Sequence, residues 1–174
     1  MQLLDAKLEQ LSQKGVLRTL VSQRELIDFC SNDYLGLSNH PAVRRALVSA
    51  IELGTPLGAT GSRLLSGNLP VHLEVEAILA EIFHSESALL FSSGYLANLA
   101  LLSAFGMEDT EFFSDELNHA SLIDGMKLSK ARRTVFRHND LDHLRDALVA
   151  SKRQIKVIVT ESVFSMDGDL GPLP

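Results

Sequence analysis

The sequence has a single cysteine, no long hydrophobic run and no excess of positive charge, and each shortage excludes a class of protein. Cys30 alone cannot form an intrachain disulfide, which fits a reducing compartment. No apolar run approaches about 18 residues and no cationic segment precedes one, so neither a membrane span nor a signal peptide is predicted. A net charge of -6 without basic runs argues against nucleic-acid binding. We expect a cytoplasmic protein with no membrane or nucleic-acid partner.

Several common site signatures are missing as well. The chain has no GxGxxG after a predicted strand, no GxxxxGK[ST] and no GxSxG, the signatures of dinucleotide sites, P-loops and serine hydrolases. The histidines at 84, 119, 138 and 143 show no pairing typical of zinc sites. Acidic residues alternate within segment 161–169, but neither the later glutamate nor the flanking helices of an EF-hand accompany them. No metal site is predicted.

What the sequence does contain is a regular alternation of helical and strand patterns. Its hydrophobic content of 45% is enough for one sizeable core. The predicted helices cover 1–15, 41–54, 69–83, 95–105, 119–131 and 140–151, and the predicted strands cover 25–29, 87–91, 110–115, 132–137 and 154–162. Short strands alternating with helices imply right-handed crossovers. We therefore predict an α/β fold with a mainly parallel sheet flanked by helices.

The C-terminal segment ESVFSMDGDLGPLP follows a predicted strand, where this pattern would require another helix and strand. Ligands of open α/β sheets bind at the carboxyl ends of the strands, so we expect the chain to be truncated and to lack part of its site. The predicted division is an N-terminal helix and short strand over 1–40, followed by an incomplete large domain over 41–174.

Polar residues occur in three strand-to-helix loops whose ends are expected to meet at one edge of the sheet. Ser92 to Tyr95 could bind a phosphate, because the first amides of a helix lack intrahelical partners, or could provide only a serine cap. In the second loop, Asn118 is the predicted cap, and His119 could stack on a planar ring, transfer protons or simply be solvated. Ser165, in the third, could bind a ligand or only satisfy the loop backbone.

Six segments, in their order, resemble the α-oxoamine synthases, which are pyridoxal-phosphate (PLP) enzymes of the aspartate-aminotransferase fold type (fold type I). These segments are CSNDYLGLSNHP at 30–41, GATGSRLLSGN at 58–68, SSGYLAN at 92–98, LNHASLIDG at 117–125, FRHND at 136–140 and ESVFSMDGD at 161–169. The resemblance extends from about residue 16 to the end. It implies the N-terminal half of an enzyme that condenses an amino acid with an acyl-CoA and releases CO2 and CoA.

The resemblance also implies individual roles at the cofactor. Gly94 and Tyr95 would contact PLP, with backbone amides at the phosphate and the tyrosine near the ring. His119 matches the histidine that stacks on the pyridoxal ring and contacts the substrate. Ser165 matches the serine that hydrogen-bonds the phenolic oxygen of the cofactor. The cofactor chemistry is that of an electron sink for a carbanion.

Further roles implied by the resemblance concern the substrate and the subunit partner. Asn32 is the candidate for the substrate carboxylate, and Arg18 matches an N-terminal substrate-binding arginine. The glycine loop 54–67 resembles a segment near the partner subunit's site, which implies a homodimer. The Schiff-base lysine and the aspartate that pairs with the pyridine nitrogen match no position in this chain, so the chain alone is predicted to be inactive.

Specificity within the family is read from GSRLLSGN and SSGYLAN, which look most like members that join L-alanine to pimeloyl-CoA or a pimeloyl carrier protein. Glycine C-acetyltransferase or another α-oxoamine synthase is the alternative. A hypothesis of another class is a non-catalytic, lysine-less binding module that pairs with a full-length partner. Cofactor absorbance after loading with PLP would distinguish an enzyme from such a module.

Overall fold

The structure, a computed structural model, describes residues 2–20 and 27–173 and divides the chain into two compact units, Met1–Gly58 and Ala59–Pro174. The first unit contains helix α1 (Gln2–Gln13), a short 3-10 helix (Leu37–Asn39) and helix α2 (Pro41–Glu52). The second contains α3 (Pro70–Ile82), α4 (Gly94–Phe105), β1 (Thr110–Asp115), α5 (Ala120–Leu128), β2 (Arg132–Phe136), α6 (Leu141–Ala150) and β3 (Ile155–Val159). The predicted domain division at residue 40 stays a prediction.

All six predicted helices are confirmed, and sequence signals mark several of their ends. Pro41 occupies the first turn of α2, and the Nδ1 atom of His40 accepts a hydrogen bond from the Ala42 amide at 3.3 Å. Beyond its last turn, Gly54 adopts a φ of 77°, which glycine reaches without strain. The carboxylate of Asp140 caps α6 by accepting from the His143 amide at 2.8 Å. Across the described part of the chain, no helix combines the length and the apolar character that a membrane span requires.

The sheet has three parallel strands in the order β2-β1-β3, with β1 in the centre. In its register, Phe113 of β1 lies beside Thr134 of β2 and Ile158 of β3. From β1 the chain passes through α5 to β2, on one side of β1. From β2 it passes through α6 to β3, on the other side of β1. The prediction of a mainly parallel sheet flanked by helices is confirmed.

The central strand is buried on both of its faces, because successive side chains alternate across a strand. Phe112 packs with Leu102 of α4 and Met126 of α5 on one face. Phe113 packs with Phe136 and with Leu144 of α6 on the other. Both phenylalanines of β1 are 0% exposed, so the core of this unit lies above and below β1.

The predicted strands 87–91 and 25–29 are not found as predicted. Residues 87–91 form no strand, and the backbone groups of Leu90 are bound by side chains: its amide donates to Oε1 of Glu76 at 2.7 Å, and its carbonyl accepts from Arg63. The N-terminal part of 25–29 lies outside the described residues, and residues 27–29 have no strand conformation.

Packing of α5 against α4 depends on Gly125, which predicts the effect of a larger residue there. A Cβ atom at this position would lie 2.9 Å from the Asn98 carbonyl oxygen and 3.1 Å from Cβ of Leu102. We expect Gly125→Val to lower the free energy of unfolding by about 1–3 kcal/mol, as overpacked cores do. Urea unfolding of the complete protein measures the change.

The control for this prediction is Gly58→Val, because a Cβ at Gly58 would meet no atom within 4 Å. The control is expected to unfold within about 0.5 kcal/mol of the wild type. Equal effects of the two substitutions would show that close helix packing at Gly125 is not the cause.

Candidate functional site

The carboxyl ends of the three strands lie at one edge of the sheet, where loops 116–119 and 137–140 and the Ser165 loop (residues 160–171) follow them. The first two loops interlock at the end of β1. The Glu116 amide donates to the Phe136 carbonyl at 3.1 Å, and the Glu116 carboxylate accepts from the His138 amide at 2.9 Å. Asp115, which is 1% exposed, accepts from the Leu117 and Asn139 amides at 2.9 and 3.0 Å.

Asn118 is buried beneath this edge, and its prediction as the cap of α5 is wrong. Its Nδ2 atom donates to Oγ of Ser114 at 3.0 Å and to the Val159 carbonyl at 2.7 Å. The side chain therefore turns toward the sheet and joins the ends of β1 and β3. The opposite atom, Oδ1, is buried without a hydrogen-bond partner among the described residues.

His119 takes the capping position instead of lying in the first turn of α5. Its Nδ1 atom accepts from the Ser121 amide at 3.1 Å and lies 2.7 Å from Oγ of Ser121, which in turn accepts from Nδ2 of Asn98 at 2.9 Å. Because Nδ1 is an acceptor, the proton of the neutral imidazole is assigned to Nε2. The ring is exposed, so a planar group can approach it.

The start of α4 combines the predicted serine cap with two backbone amides that are unpaired among the described residues. Oγ of Ser93 accepts from the Leu96 amide at 3.2 Å. The amides of Gly94 and Tyr95 have no hydrogen-bond partner within the part of the chain that the structure describes. A Cβ at Gly94 would meet no atom within 4 Å, so the space in front of these amides is open. Such an end of a helix suits a phosphate.

Tyr95, in the first turn of α4, lies near His119. Its ring centroid is 6.2 Å from that of His119, with the rings at 75° to each other. Its hydroxyl donates to Oδ2 of Asp124 at 2.5 Å. This hydrogen bond raises the pKa of Tyr95 and lowers the pKa of Asp124. The tyrosine is therefore held by α5, with its ring against the edge of the imidazole.

Ser165 lies exposed in a closed loop that is attached to the same edge. The Gly168 amide donates to the Phe164 carbonyl at 2.9 Å, and the Gly171 amide donates to the Ser162 carbonyl at 3.0 Å. At its start, the Glu161 carboxylate accepts from the backbone amide of His119. Four predicted site residues, Gly94, Tyr95, His119 and Ser165, thus belong to one unit.

The two predicted substrate-binding residues belong to the other unit. Asn32 is exposed, and its Oδ1 atom accepts from the Tyr34 hydroxyl at 3.4 Å. Arg18 is exposed in a segment without regular structure. Their roles stay predictions.

Arg63, in the glycine-rich segment 58–68, forms a pair that the sequence analysis missed. Its guanidinium binds both carboxylate oxygens of Glu76, with Nη1–Oε1 at 2.6 Å and Nη2–Oε2 at 3.0 Å, and its Nε donates to Asn68 at 3.0 Å. The hydrogen bonds from Arg63 and from the Leu90 amide lower the pKa of Glu76 to about 2. The only sign of this ion pair in the sequence is the separation between positions 63 and 76, and many other pairs of charged residues have similar separations.

Comparison with known proteins assigns this arrangement to a family. The family profile described as "Aminotransferase class I and II" matches residues 24–174. The chain belongs to this family. Its relatives include the 8-amino-7-oxononanoate synthase of Bordetella petrii, 49% identical over 158 residues that cover 88% of this chain and 39% of the relative. The enzyme of the same name from Alkaliphilus metalliredigens is 38% identical and covers 100% of this chain and 47% of the relative.

Solved structures agree with the fold. Serine palmitoyltransferase from S. paucimobilis, solved with bound PLP, matches 97% of this chain and 47% of its own with a TM-score of 0.82 and 30% identity. 8-Amino-7-oxononanoate synthase from Francisella tularensis matches 84% of this chain and 40% of its own, with a TM-score of 0.67 and 31% identity. The chain thus has the fold of type I PLP enzymes and spans about half the length of its relatives.

The residues at the sheet edge fit PLP, the cofactor of this family. Two amides at the open start of α4 suit its phosphate, and the exposed ring of His119 suits its planar pyridine ring. Over residues 2–20 and 27–173, no group of three or more histidine, cysteine or acidic side chains is arranged to hold a metal ion.

The Glu76 carboxylate should stabilise the protein in a pH-dependent way. Its pKa falls from an ordinary 4.5 to about 2, so its contribution is present above pH 4.5 and is lost as the pH falls through about 2. We expect Glu76→Gln to lower the melting temperature of the complete protein at neutral pH, and the deficit to shrink below pH 4.5.

The matched control is Glu74→Gln, an exposed residue on the same helix. It is expected to leave the melting temperature nearly unchanged at every pH. A Glu76→Gln deficit that stays constant down to pH 2 would contradict the assignment of the pKa to this carboxylate.

Proposed function

We propose that the complete protein is an α-oxoamine synthase that condenses L-alanine with pimeloyl-CoA, or with a pimeloyl carrier protein, to give 8-amino-7-oxononanoate in biotin synthesis. The identity of 49% to an enzyme of that name is the observation that supports these substrates most directly. The grouping of Gly94, Tyr95 and His119 at one sheet edge supports the same chemistry.

The proposed mechanism divides the work between the cofactor and the side chains. PLP, when bound, supplies an electron sink that stabilises negative charge at the α-carbon of the amino acid. The amides of Gly94 and Tyr95 bind its phosphate, and the Ser165 hydroxyl binds its phenolic oxygen. His119 would lie against the ring, and its Nε2–H would be available to the substrate, since Nδ1 is engaged with Ser121.

The remaining parts of the proposal concern groups outside this site. Asn32 and Arg18 bind the substrate carboxylate, and the complete protein acts as a cytoplasmic homodimer. The Schiff-base lysine is proposed to lie outside this chain. Two lysines of the chain are engaged elsewhere: Nζ of Lys127 lies 3.5 Å from Asp124, and Nζ of Lys156 donates to the Leu148 carbonyl at 2.5 Å.

A second substrate pair is favoured by the shape of the fold. The TM-score to serine palmitoyltransferase, 0.82, exceeds the score of 0.67 to the synthase from F. tularensis. The name of that neighbour indicates serine and a palmitoyl donor as its substrates. Its 30% identity is well below the 49% found for the synthase of B. petrii, and this difference favours alanine and a pimeloyl donor.

The substrate assignment predicts which pair of compounds the complete, PLP-loaded protein consumes. We expect release of free CoA with L-alanine and pimeloyl-CoA, measured with a thiol reagent, and 8-amino-7-oxononanoate identified by mass spectrometry. Glycine with acetyl-CoA, and serine with palmitoyl-CoA, are the comparison pairs. Faster turnover of either comparison pair would show that the proposed substrates are wrong. Absence of cofactor absorbance after loading would show that the protein is not a PLP enzyme.

A substitution at His119 should separate its capping role from its role at the ring. In His119→Asn the new side chain can still accept from the Ser121 amide, because asparagine is a good helix cap, but no imidazole is left. We expect the kcat of His119→Asn to fall by as much as about 10²-fold, with little change in melting temperature. His119→Ala removes both the helix cap and the imidazole ring, so it should lower the kcat and the melting temperature. Full activity of His119→Asn would mean that the imidazole takes no part in the reaction.

A further inference from the structure

His138 lies between two carboxylates at the edge of the sheet. Its Nδ1 atom is 2.9 Å from Oδ1 of Asp115, and its Nε2 atom is 2.7 Å from Oδ2 of Asp169. An ionised carboxylate only accepts hydrogen bonds, so these two contacts require both ring nitrogens to donate and favour the doubly protonated imidazole. The hydrogen bond to Asp115, followed by that to Asp169, raises the pKa of His138.

The two carboxylates differ in how firmly they are held. Asp115 has a completely buried side chain and binds two backbone amides, so it is part of the core at the end of β1. The Asp169 side chain is 37% exposed and belongs to the Ser165 loop. Besides His138, it accepts from Nδ2 of Asn139 at 2.8 Å. His138 therefore connects the Ser165 loop to the buried end of β1.

The Ser165 loop has further contacts with the same ring. Phe164, which is 1% exposed, meets the imidazole edge-on with ring centroids 4.5 Å apart. The Phe164 amide donates to the Asp169 carbonyl at 2.9 Å, and Val163 pairs with Leu170 in an antiparallel bridge. Ser165 thus lies between two residues that both contact His138.

We propose that His138 is a positioning residue, which uses its charge between Asp115 and Asp169 to hold Ser165 where the cofactor binds. The proposal rests on the proposed function, in which Ser165 contacts PLP. Loss of the anchor through removal of Asp169 would leave two side-chain hydrogen bonds to this loop among the described residues: the Glu161 contact to the His119 amide, and the bond from Nδ2 of Asn139 to the Leu170 carbonyl at 3.3 Å. Ser165 would then spend less time at the cofactor.

Among the described residues, the charged groups that contact the His138 ring are the two carboxylates of Asp115 and Asp169. Asp115 comes from β1, Asp169 from the Ser165 loop, and the Glu116 carboxylate accepts from the His138 backbone amide at 2.9 Å. The neighbouring cation, Arg137, binds Asp140 at 2.6 Å. Because the pKa of His138 is raised above 6.5, the anchor is complete below that pH and is lost as the pH rises through the pKa of the folded protein.

The test compares two aspartates of the same loop in the complete protein. Asp169→Ala removes the outer partner of His138, together with the hydrogen bond from Nδ2 of Asn139, and leaves the buried Asp115 paired; the pH dependence separates the contribution of His138 from that of Asn139. Asp167→Ala is the matched control, because this exposed carboxylate makes no side-chain hydrogen bond to any described residue. The test measures amide hydrogen exchange in residues 160–171 in the absence of PLP. It then measures PLP affinity and the absorbance of the bound cofactor.

We expect Asp169→Ala to speed exchange in the Ser165 loop by about tenfold. It should also weaken PLP binding by about tenfold, the scale of one hydrogen bond to a charged group. The loss of affinity should shrink at alkaline pH, where the wild-type anchor is lost as well. Ser165→Ala should weaken PLP binding without faster exchange, since it removes the contact and keeps the anchor.

Two results would overturn the inference, and they are distinguishable. If the wild type binds PLP, but Asp169→Ala matches Asp167→Ala in exchange, affinity and absorbance, the positioning role is wrong while the proposed function stands. If the wild type shows no cofactor absorbance, the proposed function is wrong and the positioning role at the cofactor falls with it.

Discussion

Burial of β1 on both faces and along both edges is the constraint on which the second unit depends. Phe112 and Phe113 point to opposite faces and are each completely buried, while β2 and β3 occupy the two edges. A strand enclosed in this way must satisfy its polar groups within the protein. Its end is consequently crowded with hydrogen bonds from neighbouring loops, and those loops contain the candidate site.

The candidate site follows from two properties of this architecture. Parallel strands bring their carboxyl ends to one edge, and helices that start there present unpaired amides. At α5, the cap is His119, a residue that can also meet a planar ligand. At α4, the cap is Ser93, which leaves the amides of Gly94 and Tyr95 facing open space. Structural caps and proposed ligand contacts are therefore provided by the same or adjacent residues.

Long-range polar contacts explain where prediction from the sequence failed. Residues 87–91 have a strand-like composition but form no strand, and Glu76 and Arg63 bind the backbone of Leu90. Asn118 precedes a helix as a cap would, but two acceptors on β1 and β3 draw its amide toward the sheet. Val159, Glu76 and Arg63 are distant in sequence from the groups they contact, so no local pattern could reveal these contacts.

The sequence by itself determined the helices, the three paired strands and the residues that belong to the family motifs, because local periodicity, caps and glycines act over a few residues. It also determined that Gly94, Tyr95, His119 and Ser165 lie after strands or at helix starts. Only the tertiary structure decided that His138 lies between Asp115 and Asp169, which are 23 and 31 residues away in the chain. This arrangement exists only once two loops have been brought to the end of β1, because its partners are joined by the sheet and not by neighbouring sequence.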